Sequence, residues 1–234
     1  MNNFFVDYRI SNEELFNLKK LNLNIVKCPK CHLVYDAING HPDILINFIG
    51  PKHIVVHRDI EEGFLEYLKL LGYNITLSKN SLENKYPKNI ILNAVNFSNY
   101  FIHNIKYTDE NLINAQTKNK IINVNQGYSK CSCAILSNNA LITSDNSIYE
   151  ALKETDIDVL LIPPGDILLP GLDYGFIGGC CGLIDYNKLA FFGDLEFYYY
   201  GNEILNFLIK HHIEPIYLRH GKLIDRGSLL GYVI

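Results

Sequence analysis

No apolar run in this chain approaches the roughly 18 residues that a bilayer span demands, because Pro, Gly or a charged residue cuts each one first. A membrane partner is therefore not expected. Nor is there a stripe of Lys and Arg: the formal charge is −4, and residues 79–88 alternate their lysines with Asn and Glu. That pattern marks a solvated loop and argues against nucleic acid as a partner. The opening residues 2–7, Asn-Asn-Phe-Phe-Val-Asp, lack the basic region of a signal peptide, so a cytoplasmic location is expected. No linker divides the 234 residues, of which 48% are apolar. A single α/β domain over residues 1–234 is expected, with enough apolar side chain to bury one core.

What the chain does contain is a repeat. Short apolar strands begin near Asp43, Ile90, Cys133, Gly178 and Gly227, spaced by 47, 43, 45 and 49 residues. After each comes a polar break and a second strand, expected at 4–6, 54–57, 100–103, 140–143 and 189–192. A helix and a third strand complete the unit, the third strands falling at 23–28, 73–77, 120–125, 158–162 and 213–218. A period of this length signals a repeat architecture, and alternating strands and helices give the α/β class. The five ββαβ modules are residues 227–234 plus 1–29, 43–78, 90–126, 133–163 and 178–219. One module is split between the chain ends, so the first and last segments are expected to pair and close a ring.

Helix signals agree. Ser11 with Glu14 and Ser147 with Glu150 have capping-box spacing, and Asp59 with Glu62 is a variant. Gly72 supplies a stop after an apolar stripe of Phe64, Tyr67, Leu68 and Leu71. Further helices are expected at 109–118 and 203–212. Asp59, Asp109 and Asp145 stand at helix starts, where capping is the expected role.

Six cysteines fall in three close pairs, Cys28/Cys31, Cys131/Cys133 and Cys180/Cys181. Disulfides are not expected in a cytosolic chain. Cys28-Pro-Lys-Cys31-His32 has the spacing of a zinc knuckle, with Cys131 and Cys133 as a second pair. Burial as small apolar side chains is the simpler expectation, and neither metal nor cofactor is expected.

Chemistry-bearing residues gather at the junctions that lead from a third strand to the next first strand. These are residues 36–43 (Asp-Ala-Ile-Asn-Gly-His-Pro-Asp), 126–132 (Gln-Gly-Tyr-Ser-Lys-Cys-Ser), 163–180 and 225–228 (Asp-Arg-Gly-Ser). The junction at 80–89 is bland. In a ring of modules such junctions face one another, so a thiol, an imidazole and several carboxylates can meet in one pocket.

Five ββαβ modules with a closing C-terminal strand resemble the pentein fold, the α/β propeller of deiminases, amidinotransferases and dimethylarginine hydrolases. Gly-His-Pro-Asp, Gln-Gly-Tyr-Ser-Lys-Cys-Ser, Asp-Tyr-Gly-Phe-Ile-Gly-Gly, Phe-Gly-Asp at 192–194 and Asp-Arg-Gly-Ser resemble, more narrowly, a bacterial family of unknown function with that fold. The resemblance implies a cysteine-dependent hydrolase, deiminase or amidinotransferase acting on a small guanidino or amidino compound. It implies Cys131 as nucleophile and His41 as general acid and base. Asp43, Asp173 and Asp225 would hold the substrate cation through charge-assisted hydrogen bonds. Lys130, Gly178, Gly179 and Arg226 complete the substrate-binding set, with Lys130 lowering the thiol pKa. Two departures stand out: the enzymes carry their nucleophile in the last module, whereas no cysteine follows Cys181, and Gly178-Gly179 is flanked by Ile177 and Cys180 rather than by acidic residues.

The expected partner is a small cationic metabolite, and self-association is left open. Two alternatives stand beside catalysis. One is a noncatalytic receptor for the same cation, and the other an interaction protein, since a ribosome anti-association factor shares the fold. The residues also have simpler readings: His41 as the cap of a turn, Asp43 as acceptor of backbone amides, and Gly178 and Gly179 as sites of close backbone approach.

Overall fold

The repeat takes shape as five small sheets. In this computed structural model, which describes residues 2–97, 99–117 and 119–233, the first unit comprises β1 (Asn3–Val6), α1 (Asn12–Lys20) and β2 (Asn24–Lys27). The second has α2 (Pro42–Leu45), β3 (Ile46–Gly50), β4 (His53–Val56), α3 (Glu62–Leu70) and β5 (Asn74–Leu77). The third has β6 (Val95–Phe97), β7 (Tyr100–His103), α4 (Glu110–Asn114) and β8 (Lys120–Asn123), and the fourth β9 (Cys133–Ser137), β10 (Ala140–Thr143), α5 (Asn146–Leu152) and β11 (Asp158–Leu161). The fifth has β12 (Cys181–Asp185), β13 (Lys188–Phe191), α6 (Gly201–Lys210) and β14 (Glu214–Tyr217). Four sheets have three strands and the first has two. In each three-stranded sheet the middle strand runs antiparallel to the one before it and parallel to the one after the helix.

The C-terminal segment is not a full strand. It meets β1 in a single antiparallel bridge, with the Phe5 amide donating to Leu230 O at 2.8 Å and the Leu230 amide to Phe5 O at 3.0 Å. The chain ends therefore touch as expected, but over one residue pair; Ile234, the last of the expected strand, lies outside the described residues. Gly227 and Ser228 at φ +67° and +72° turn the chain out of extended geometry just before the bridge.

Three further first strands start later than expected, for identifiable reasons; one is β12, which begins at Cys181 because Gly178–Cys180 form a 3₁₀ turn. Pro42 fixes its own φ and opens a helical turn, which delays β3 to Ile46. Residues 90–94 form turns that draw Asn93 inward, and β6 begins only at Val95. The helix expected at 109–118 is shorter: Asp109 caps the turn-and-a-half of α4 after a 3₁₀ turn, and Lys118 lies outside the described residues. Of the three capping boxes, only Ser11/Glu14 forms, with both reciprocal bonds. Helix α5 is capped by Asp145, which accepts from the Ile148 amide and the Ser147 hydroxyl, while α3 starts from Glu61 with no side-chain cap. Gly72 ends α3 at φ +79°.

Apolar clusters join neighbouring units. Val95 and Ile102 pack with Leu141 and Ile148, Ala134 and Leu136 with Leu183 and Phe191, and Phe4, Val6 and Leu18 with Ala190 and Phe192. The last of these unites the opening and closing parts of the chain in one core. Among the described residues no helix is long and apolar enough to cross a membrane.

Candidate active site

In every unit the parallel strand pair delivers its carboxyl ends to the same side, where the junctions lie, and that is where α/β sheets place ligands. Hydrogen bonds run from each junction to the next and return. The Asn93 side-chain amide donates to Asp43 O at 3.0 Å, the Lys130 amide to Asn93 O at 3.0 Å, the Gly179 amide to Cys131 O at 3.1 Å, the Ser228 amide to Gly179 O at 2.9 Å, and the Asp43 amide to Gly227 O at 3.3 Å. Five segments distant in sequence thereby hold one another in register.

Inside this cycle sit the reactive groups. The Cys131 thiol, 2% exposed, donates to Asp43 Oδ2 at 3.1 Å and receives the Asn93 amide at 3.2 Å. The same carboxylate oxygen accepts from Ser228 Oγ at 2.7 Å. Asp225 accepts the Phe176 and Gly227 amides, each at 2.9 Å. His41 lies between two acids, its Nδ1 3.8 Å from Asp225 and its Nε2 3.9 Å from Asp7. Asp7 is clamped by Arg9, whose Nε and Nη2 reach both carboxylate oxygens. His41 Nδ1 and Asp43 Oδ1 are buried and without a hydrogen-bond partner among the described residues.

Electrostatics follow from burial. It pushes the Cys131 thiol well above the ordinary thiol range, and the charges of Asp43 and Asp225 push it further, with the Asn93 amide opposing them. Burial likewise raises Asp225, against the pull of His41 and the two amides, while Asp43 adds to the rise. The resting thiol is thus protonated. Lys130 does not figure among the groups that act on the Cys131 thiol: its ammonium donates to Ser228 Oγ at 3.0 Å, and its charge acts downward on the Cys133 thiol instead, against the larger upward push of burial.

The remaining predicted residues divide. Asp173 stands exposed at the mouth of the pocket. Gly178 and Gly179 wall the site from behind: a Cβ on Gly179 would lie 2.1 Å from Asp225 Oδ1, and one on Gly178 2.3 Å from Cys133 O. Their close-approach reading therefore fits the geometry. The Arg226 guanidinium goes to Glu14 of α1 at 3.3 Å, away from the thiol. His41 makes no side-chain capping bond, and Asp43 bonds side chains rather than the backbone amides expected of it. The zinc alternative is not assembled: Cys28 and Cys31 are buried in the core, His32 is exposed, the Cys133 thiol faces Thr143, and no group of three metal-binding side chains occurs among the described residues.

Sequence reasoning missed Asp7, Asn93, Ser228 and the aromatic walls. Asp7 immediately follows the second strand of its unit, at the carboxyl end where junctions gather, and that position was the available signal.

Above Cys131, His41 and Asp225 opens a cavity of about 260 Å³ walled chiefly by Tyr35, Tyr128, Phe176 and Leu169, near the lower limit of ordinary ligand clefts of about 300–1,000 Å³. Comparison with solved structures shows the fold. An amidinotransferase of the saxitoxin biosynthetic pathway from Microseira wollei superposes with a TM-score of 0.57 at 10% identity, over 88% of this chain and 75% of that one. An inosamine-phosphate amidinotransferase from Streptomyces griseus gives 0.57 at 12% identity, over 89% and 74%. No curated protein sequence matches the chain. Residues 5–230 match a sequence family whose range takes in the bridging pair Phe5 and Leu230 and all five junctions between them, and the chain belongs to that family, the family of unknown function DUF6873.

Proposed function

We propose that the chain is a cysteine-dependent enzyme acting on a small guanidino or amidino compound, built as a pentein propeller of five modules about a common axis. The observation that carries this reading is the meeting of the Cys131 thiol, His41, Asp43 and Asp225 in one buried site, with Asp43 Oδ1 and His41 Nδ1 lacking partners. Neither carboxylate has a lysine or arginine within 4.0 Å among the described residues, so an entering cation supplies the missing charge. Its N–H groups donate to Asp43 Oδ1 and toward Asp225. The positive charge offsets the two acids that hold the thiol protonated. The Cys131 proton passes to Asp43, and sulfur attacks the amidine carbon. The C–N bond then breaks as protonated His41 gives its proton to the leaving nitrogen, and the amidine carbon remains bonded to sulfur. Neutral His41 next takes a proton from water or from an acceptor amine, which attacks that carbon. The C–S bond breaks, and the thiolate recovers its proton from Asp43. Water makes the reaction a hydrolysis and an amine makes it an amidine transfer; neither step calls on a cofactor.

A noncatalytic receptor for the same cation is the second reading, favoured by the protonated, nearly inaccessible thiol. The two separate on covalent chemistry. Cationic 2-chloroacetamidine is expected to alkylate Cys131 at least tenfold faster than neutral iodoacetamide, with the adduct located by peptide mass spectrometry and absent from Cys131→Ser. Equal rates, or modification of other thiols with Cys131 untouched, would refute the catalytic reading.

A further inference from the structure

The cavity has an acidic floor and an apolar body, and this combination constrains the part of the substrate that does not react. The ionisable groups that line it are Cys131, His41, Asp173, Asp225 and tyrosines, with no lysine or arginine among them. The nearby cations already have partners and do not line the cavity: Lys130 on Ser228, Arg226 on Glu14, and Arg9 on Asp7 and on the carbonyl oxygens of Asp36 and Ala37. A carboxylate or phosphate on a ligand would therefore enter an apolar space without a counter-charge and face Asp173, which is costly. The walls offer ring faces instead. Tyr128 stacks on Phe176 with centroids 6.0 Å apart and planes at 28°, and Tyr174 meets Phe176 edge-on at 6.3 Å. The hydroxyls of Tyr35 and Tyr128 bond each other at 2.9 Å, which leaves their rings as the available surface. Ile38, Leu169 and Leu172 fill the rest.

We infer that the substrate is a guanidine or amidine whose remaining part is apolar, aryl or alkyl, and carries no anionic group, so that amino-acid guanidines such as arginine are excluded. This rests on the proposed cation site. The aromatic walls attract a flat apolar or cationic body, and the lack of a paired cation rejects a carboxylate.

The test uses the full chain and reads two signals: protection of Cys131 from 2-chloroacetamidine, and the thermal shift given by each compound alone. Benzylguanidine is expected to half-protect Cys131 at a concentration at least tenfold below that of L-arginine, and to raise the melting temperature where arginine at equal concentration does not. Arginine matching or surpassing benzylguanidine in both assays would overturn the inference while leaving thiol chemistry intact. Conversely, a benzylguanidine thermal shift with no adduct at Cys131 would sink the catalytic reading and support the apolar-cation site. Leu172→Arg places the missing cation at the exposed mouth, where folding is not at risk; it should lower the half-protecting concentration of arginine at least tenfold, and an unchanged value would count against this account of the mouth.

Discussion

His103 ties stability to the loop that carries Cys131, and acidification should reveal it. The ring is fully buried. Its Nε2 donates to Gly127 O at 2.8 Å, which fixes the neutral tautomer, and Nδ1 meets Thr108 Oγ1 at 2.6 Å. Gly127 opens the turn bearing Tyr128 and Cys131. Burial pushes the imidazole down from 6.5 to about 4, although the Gly127 carbonyl pulls the other way. The unfolded chain therefore binds a proton that the folded chain refuses, and stability falls as pH drops from the unfolded value toward the folded one. A shift of that size corresponds to roughly 3 kcal/mol in the limit, most of which is lost between pH 7.5 and 4.5. His57, buried and also pushed down by burial, acts in the same direction, so the comparison must be with a variant. In His103→Gln the amide can still donate to Gly127 O but does not titrate. Urea unfolding followed by circular dichroism from pH 7.5 to 4.5 should show wild type losing roughly 2–3 kcal/mol more than this variant. Parallel pH profiles, or an imidazole that titrates near 6.5 by NMR, would refute the reasoning.

Other expectations follow from single contacts. Asn93→Ala removes the amide that favours the thiolate of Cys131, so alkylation by iodoacetamide should require a higher pH than in wild type; an unchanged pH profile would dismiss that role. Gly179→Ala forces a methyl against the Asp225 carboxylate and should cost about 1–3 kcal/mol of overpacking together with chloroacetamidine reactivity, read from the denaturation midpoint and the labelling rate. Ser11→Ala deletes the capping box of α1 and should cost about 1 kcal/mol while the labelling rate of Cys131 stays unchanged, because α1 lies outside the cavity; a slowed rate would show that helix and site are coupled.

How much of this was legible beforehand depends on whether local chemistry or tertiary contact decides the outcome. Second and third strands are bounded by polar breaks; their expected limits coincide with β7 and β10 and elsewhere differ from the observed ends by at most two residues. First strands were harder, because their leading residues serve the site: Asn93 is drawn toward Cys131 and Lys130, and Gly178–Cys180 makes a 3₁₀ turn against the backbone of the preceding junction. Cys131, His41, Asp43 and Asp225 were visible as unusual residue types at junctions. Their partners were not, since Asp7 and Asn93 look like ordinary turn residues until the fold sets them against His41 and Cys131. Lys130 misled for the opposite reason. Adjacency in sequence suggested a charge beside the thiol, but the ammonium bonds Ser228 and its charge acts on Cys133 rather than on Cys131.

The same geometry explains how a thiol outside the last unit reaches the common centre. In the hydrogen-bonded cycle the segments ahead of β3, β6 and β9 and the C-terminal segment each contribute one inward polar side chain, Asp43, Asn93, Cys131 and Ser228. Gly179 contributes only its backbone, which is what makes room for Asp225. A thiol on any of the four would face the same centre. What distinguishes the site is charge: Asp43 and Asp225 are both buried beside a thiol, with no lysine or arginine partner among the described residues. Because the Asp225 pKa is raised by burial, its stabilising contribution is complete only below its unfolded value of 3.8 and is lost as pH rises through the folded one. At neutral pH the fold therefore carries an electrostatic cost at its centre. A bound cation relieves that cost, so binding and folding stability should rise together at neutral pH, and the gain on binding should shrink as acid protonates Asp225.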